Sequence, residues 1–274
     1  MSRSFAPIGS LAADYSYARP PVARLKQLGY STVVRYISAS TSGKNVSAAE
    51  VQAIRAAGLN LLLVWEMRAT DALGGGPSGT TSGAAALKVL RGLGYPEDVP
   101  VLVAVDQDIT TKTVAVAVTY LAGFARAVAP YPIGVYGDAD ILLAYGNFSQ
   151  VGWLPNARAW SSVNKAAAIA AGVVHALQHR VVALDGKWSV DPSTVIAPMP
   201  VWGADVTLHL PPPQPTLVPA KPISAALAAA TFARDALEHF GSIQSDVARK
   251  LVYHRLIGNI APLRPVGGER SLRE

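Results

Sequence analysis

The sequence predicts a (β/α) barrel over about the first two hundred of its 274 residues. Three observations carry this. Short β-branched runs alternate with Ala-rich stretches of helical period, the pattern of parallel strands joined by crossover helices. Eight strand slots fall within about 190 residues, which suits a compact barrel better than the alternative, an open doubly wound sheet. The strands read as nearly continuous apolar runs, such as Leu61-Leu62-Leu63-Val64 and Val101-Leu102-Val103-Ala104-Val105, as strands covered on both faces do.

Strands are expected at Leu11–Tyr15, Thr32–Ser38, Leu59–Glu66, Val99–Asp108, Ile133–Gly137, Ala157–Ser161, Val173–His179 and Trp188–Val190. Helices are expected between them. Pro21–Leu28 follows two prolines, which suit a first turn. Ser47–Ala57 opens with a capping box of Ser47 and Glu50 and stops at Gly58. Ser82–Leu93, Thr111–Ala129, Asp138–Tyr145 and Lys165–Ala171 follow. The glycine-rich run Gly74–Gly79 reads as a mobile loop; it lacks the Gly-Lys-Ser/Thr ending of a phosphate-binding loop.

The chain divides into a barrel (1–208), a Pro-rich linker (209–222) and a helical extension with a tail (223–274). Pro211-Pro212-Pro213-Gln214-Pro215, Pro219 and Pro222 make the linker stiff and extended. Beyond it, Ile223–Phe240 and Ser242–Ile257 carry an apolar stripe through Leu227, Leu237, Phe240, Val247 and Leu251. A helix with such a stripe gains its stability by burying it. The expected cover is a protein partner or a second copy; folding back onto the barrel is the alternative.

Composition narrows the function. Half of the residues are apolar and 15% charged, which excludes global disorder. With no cysteine there is no disulfide, thiolate metal site or cysteine nucleophile. The net charge of +6 is denser after Lys221, with eight Lys/Arg against five Asp/Glu, and favours acidic partners. No Lys/Arg run is interleaved with aromatics, so nucleic acid is disfavoured. Met1–Ser10 lacks the apolar core of a signal peptide, and no apolar run approaches the ~20 residues of a membrane span. His175 and His179 fall on a strand without a zinc pattern, and no Gly-x-Ser-x-Gly elbow is present. Neither a metal nor another cofactor is expected.

The informative feature is the placement of acids at strand ends. Asp14 lies near the end of the first strand, Glu66 ends the third, Asp106 and Asp108 end the fourth, and Asp191 follows the last. In a (β/α) barrel these ends form one mouth, where the chemistry sits. Residues two apart share a strand face, so Leu102, Ala104, Asp106 and Asp108 are expected to face the interior. Clustered carboxyls push at least one pKa up, giving the proton donor and ionised partner that glycoside hydrolysis needs. The bland reading of each acid alone is a helix cap or turn residue. Arg35, inside a strand, is expected to pair with a mouth carboxylate. Tyr136, Trp160 and Gln178 are candidate substrate-binding residues, Trp160 as a stacking platform for a sugar ring; ordinary packing is the alternative for each.

At these residues the chain resembles a known family. Ala13-Asp14-Tyr15-Ser16, Val34-Arg35-Tyr36-Ile37-Ser38, Ala56-Ala57-Gly58-Leu59, Leu63-Val64-Trp65-Glu66, Val103-Ala104-Val105-Asp106-Gln107-Asp108 and Ile133-Gly134-Val135-Tyr136-Gly137 occur in that order. Over Ala12 to Thr194 this resembles the glycoside-hydrolase-like domain family of actinobacteria and their phages, which is related to the family-25 muramidases. The resemblance implies a TIM-like barrel with Asp14, Glu66, Asp106, Asp108 and Asp191 at its site. It differs from the muramidases, whose fourth strand ends in Asp-x-Glu; here the second acid is Asp108, and Glu66 is the alternative general acid. Two functions follow: a hydrolase of peptidoglycan-like cell-wall glycan, or a non-catalytic wall-binding module of a phage virion, such as a minor tail protein. The corresponding location is the virion or the extracellular space after phage release, with the bacterial cytoplasm as the alternative.

Overall fold

The computed structural model describes residues 3–157, 160 and 164–204. The linker and the helices expected at 223–257 lie outside the described residues. The elements run β1 (Arg3–Ala6), β2 (Leu11–Asp14), α1 (Val22–Gln27), β3 (Tyr30–Ile37), α2 (Ala48–Ala56), β4 (Asn60–Trp65), α3 (Gly75–Gly92), β5 (Val101–Ala104), α4 (Val114–Val128), β6 (Ile133–Tyr136), α5 (Ala139–Tyr145), β7 (Gly152–Leu154), α6 (Lys165–Ala170), β8 (Ala176–Gln178), β9 (Val182–Leu184), β10 (Trp188–Val195) and β11 (Met199–Trp202).

Eight strands close a TIM-like barrel. β2 to β8 pair in sequence order, all parallel, and β10 closes the ring between β8 and β2. β10 is antiparallel to both neighbours. The reason lies just before it: β9 turns back into β10 through Asp185 and Gly186, both at positive φ, so a hairpin replaces the crossover helix. Arg24 at the start of α1 clasps the Asp185 carboxylate at 2.7 and 2.9 Å and ties the hairpin tip down. At the opposite end of the barrel β11 pairs with the start of β4, and β1 pairs with β11.

Three expectations are corrected. The fourth barrel strand, β5, ends at Ala104, so Asp106 and Asp108 stand in the loop beyond it. The sixth is Gly152–Leu154, not Ala157–Ser161; Pro155 follows it directly. A Cβ at Gly152 would lie 1.9 Å from Val173 O, so only glycine lets the chains approach there. Finally, Gly74–Gly79 is no loop beside the mouth but runs into the first turns of α3.

The glycines of α3 serve close packing. A Cβ at Gly79 would sit 2.0 Å from Tyr120 O, one at Gly83 2.5 Å from Phe124 O, and one at Gly123 2.4 Å from Gly76 O. Gly79 and Gly83 are four apart, hence on one helix face. Together with Gly123 of α4 they let the two backbones touch. Pro77 is tolerated because it falls in the first turn, where its missing N–H has no intrahelical partner to lose. We expect Gly79→Ala to cost about 1–3 kcal/mol by overpacking. Gly92→Ala, at an exposed helix position whose Cβ meets nothing within 4 Å, should leave stability unchanged or slightly raised. Denaturant midpoints of the two variants check this; equal midpoints would show that α3 and α4 are not in contact along the glycine face.

Candidate active site

The mouth is built from inward positions at the parallel strand ends. Alternation turns Val34 and Tyr36 of β3 inward, with Val64 of β4 and then Glu66, Leu102 and Ala104 of β5, Tyr136 of β6 and Trp153 of β7. Gly134 makes room for this layer: a Cβ there would lie 2.7 Å from Leu102 Cδ2. These side chains and Asp14 line a narrow cavity at the mouth.

Asp14 ends β2 directly opposite Asp191 on antiparallel β10. It is 4% exposed. Burial, helped by the neighbouring Asp191 carboxyl, raises its pKa to about 7. A hydrogen bond from Tyr36 Oη to Asp14 Oδ2 at 3.0 Å opposes the rise without cancelling it. Asp14 and Trp153 line the same cavity, and neither Asp14 Oδ1 nor Trp153 Nε1 meets a hydrogen-bond partner among the described residues. Burial also raises the Asp191 carboxyl.

Across the mouth Glu66 forms an ion pair with Lys44, Nζ to Oε1 2.6 Å, and the same ammonium stands 3.8 Å above the Tyr36 ring. Asp106 is half-buried. Burial first and the charge of Glu66 second push its pKa up, while Lys44 pulls it down. The mouth thus pairs carboxyls whose proton affinity burial raises, Asp14, Asp106 and Asp191, with a carboxylate matched to a cation, Glu66. That division is what acid–base chemistry at one centre requires.

Asp108 stands two residues beyond Asp106 along the same loop. Its charge acts on Asp138, the N-cap of α5, whose Oδ1 accepts from Ile141 N at 3.0 Å and whose Oδ2 accepts from Ile109 N at 2.6 Å. Asp138 therefore fixes the loop that carries Asp106 and Asp108. Tyr136 donates its hydroxyl to Gln178 Oε1 at 3.2 Å, so these two meet at the mouth. Trp160 does not lie on a strand; it follows β7, and its backbone N–H donates to Ala157 O. The inward aromatic of that strand is Trp153.

Arg35 is corrected. Its side chain is fully buried and points away from the mouth, toward α2, so it cannot touch a substrate. Its acid partner is Glu50, Nε to Oε1 2.8 Å, not a mouth carboxylate. It also donates to Tyr15 O and, at 3.0 Å, to Lys44 O, with its guanidinium 4.4 Å from the centre of the Tyr15 ring. Ser47 Oγ accepts from Glu50 N as the capping box requires, but the Glu50 carboxylate engages Arg35 and Arg19. Tyr36, Lys44 and Trp153 were absent from the expected site. The alternation that turns Val34 inward also reveals Tyr36; Lys44, in a loop, gives no sequence signal.

Asp14 has a consequence for stability. A carboxyl with a raised folded-state pKa makes the folded chain hold a proton that the unfolded chain releases. Stability is then full below the ordinary value of 3.8 and falls as pH rises toward about 7, beyond which the loss is complete. Asp106 and Asp191 shift in the same direction. We expect a lower unfolding free energy at pH 8 than at pH 5, by about 2–3 kcal/mol from Asp14, and a flatter profile in Asp14→Asn. Denaturant titrations across that range check it; a wild-type profile rising from pH 4 to 7 would contradict the burial of Asp14.

Comparison with known proteins agrees with this architecture. The family model described as "Rv2525c-like, glycoside hydrolase-like domain" matches residues 23–195. Among curated proteins none matches the chain. The Mycobacterium tuberculosis Tat-secreted protein Rv2525c, solved in complex with L-tartrate, superposes with a TM-score of 0.60 at 18% identity over 71% of this chain and 100% of its own. A B. stearothermophilus protein of uncharacterized function does so with a TM-score of 0.50 at 17% identity, over 68% and 96%. Both share the fold. The matched span holds the barrel from α1 to β10, and with it Glu66, Asp106 and Asp191; the chain belongs to the Rv2525c-like, glycoside hydrolase-like domain family.

Proposed function

We propose that the chain is a glycoside hydrolase acting on bacterial cell-wall glycan of the peptidoglycan type. The observation that carries this reading is the meeting of Asp106 with Glu66 beside Lys44 at the barrel mouth. Asp106, half-buried with a raised pKa, is the proton donor to the glycosidic oxygen. Glu66 supplies the negative charge that stabilises an oxocarbenium-like transition state or directs the attacking group. Asp14, deeper and largely protonated up to about pH 7, holds the floor of the site through Tyr36. Tyr136 and Gln178 line the route inward. We place the protein at the cell wall, outside the cytoplasm, by analogy with the Tat-secreted Rv2525c.

A second reading is a wall-binding module, including one carried on a phage virion, with catalysis lost. What favours it is occlusion: Asp14 is 4% exposed and Lys44 covers Glu66. Activity separates the two. Reducing-sugar release from purified actinobacterial wall should fall about 10²–10⁴-fold in Asp106→Asn. Asp108→Asn should keep most of it, because the charge of Asp108 is felt at Asp138, the α5 cap. Undiminished release in Asp106→Asn removes that residue as the acid. Wall binding by a wild type that releases no sugar supports the second reading.

A further inference from the structure

The cavity beneath the mouth is very small. It measures about 10 Å³ as the space open to the centre of a water molecule, close to the least that holds one water. Its polar lining is Asp14, Tyr36, Glu66, Tyr136 and Trp153. An apolar space of this size stays dry, whereas one lined by several polar groups draws water in.

Two of these groups are left over. Asp14 Oδ1 and Trp153 Nε1 are buried without a hydrogen-bond partner among the described residues, and a buried polar atom calls for one. Their residues are 4% and 1% exposed, so bulk solvent does not supply it. The roles of the others are set by the bonds already made. Tyr36 Oη donates to Asp14 Oδ2, so a proton held by this carboxyl sits on Oδ1. Burial keeps that proton in place up to about pH 7. The indole N–H of Trp153 can only donate. Tyr136 spends its hydroxyl proton on Gln178 Oε1, which leaves the Tyr136 oxygen to accept. Glu66 accepts from Lys44 through Oε1, and a carboxylate has a second oxygen to accept with.

Two donors and two acceptors around a water-sized space match one water molecule, which accepts twice and donates twice. We infer that this cavity binds a single ordered water, which receives Asp14 Oδ1–H and Trp153 Nε1–H and donates to Glu66 and Tyr136. Trp153 is a positioning residue in this arrangement: its indole holds the water that joins the buried acid to the mouth. The water also gives the buried proton a path. As Asp14 Oδ1 releases its proton to the water oxygen, one water O–H bond breaks and that proton passes to the Glu66 carboxylate. Asp14 ends ionised, Glu66 ends protonated and the water is unchanged. The contacts close a ring, from Tyr36 through Asp14, the water and Glu66 to Lys44, whose ammonium stands over the Tyr36 ring. The inference is independent of what the mouth binds.

The test reads the water from the Trp153 indole by nuclear magnetic resonance. The full chain, isotope-labelled on nitrogen, is studied at pH 5, below the Asp14 value of about 7. The Trp153 indole signal is identified by its loss in Trp153→Phe. We expect a cross-peak between this N–H and water, with opposite signs in laboratory-frame and rotating-frame spectra, as a held water gives; exchange of the N–H proton itself gives equal signs. The cross-peak should survive in Asp14→Asn, whose amide both donates and accepts, and be lost in Asp14→Leu. Its absence from the wild type, or its persistence in Asp14→Leu, overturns the site. A high-resolution crystal structure reads the far side. Water within hydrogen-bond distance of Asp14 Oδ1, Trp153 Nε1 and Glu66 is the expected result; a water that touches neither Glu66 nor Tyr136 overturns the path to the mouth. The wild-type spectrum and the crystal structure decide even if Asp14→Leu does not fold.

Discussion

The site depends on a charged side chain that never enters it. Arg35 is fully buried between the barrel wall and α2, and a guanidinium there is tolerable only if every face of it is answered. Glu50 neutralises it, the carbonyls of Tyr15 and Lys44 accept its N–H groups, and the Tyr15 ring takes its face. Each contact has a consequence at the mouth. Tyr15 is the residue after Asp14, so its carbonyl anchors the chain as it leaves β2. Lys44 is held by its backbone so that its ammonium projects over Tyr36 to Glu66. An ion pair on the outer side of the strands therefore fixes both an acid and a cation on the inner side.

Proton affinities at the mouth follow from depth. Asp14 and Asp191 face each other across an antiparallel pair, and burial makes it costly for both to ionise. Glu66 has its cation, while Asp106 stands between burial and the charge of Glu66. The antiparallel β10 is essential to this. Had a crossover helix led into it, Asp191 would lie at the other end of the barrel. The hairpin through Asp185 and Gly186 reverses the strand, brings Asp191 to the mouth, and sets Arg180 and Val181 beside it.

Much of the barrel was legible because parallel strands covered on both faces announce themselves as unbroken apolar runs. β3, β4 and β6 fall within a residue or two of expectation. β7 escaped because it has three residues and no alternation, and the error moved attention from Trp153 to Trp160. The run Gly74–Gly79 misled because glycine serves both a mobile loop and a tight helix contact, and only the facing backbone of α4 decides between them. At the site, the acids at strand ends could be read from position alone. Arg35 could be recognised as needing an acid, but not which one: Glu50 lies on a helix whose packing is a tertiary fact. Lys44 reaches Glu66 from a loop whose backbone Arg35 holds, and no local pattern encodes that.

The most direct test of this dependence is the unfolding free energy of Arg35→Met, whose side chain keeps much of the buried volume while removing the charge. Glu50 would keep only the more exposed Arg19, 3.4 Å away, and two backbone carbonyls would lose their donor. We predict a loss of about 3–5 kcal/mol, as for one half of a buried ion pair, largely recovered when Glu50→Met is added. A loss below about 1 kcal/mol in the single variant, in the range of an exposed pair, would contradict the account, since it would show that the mouth stands without Arg35.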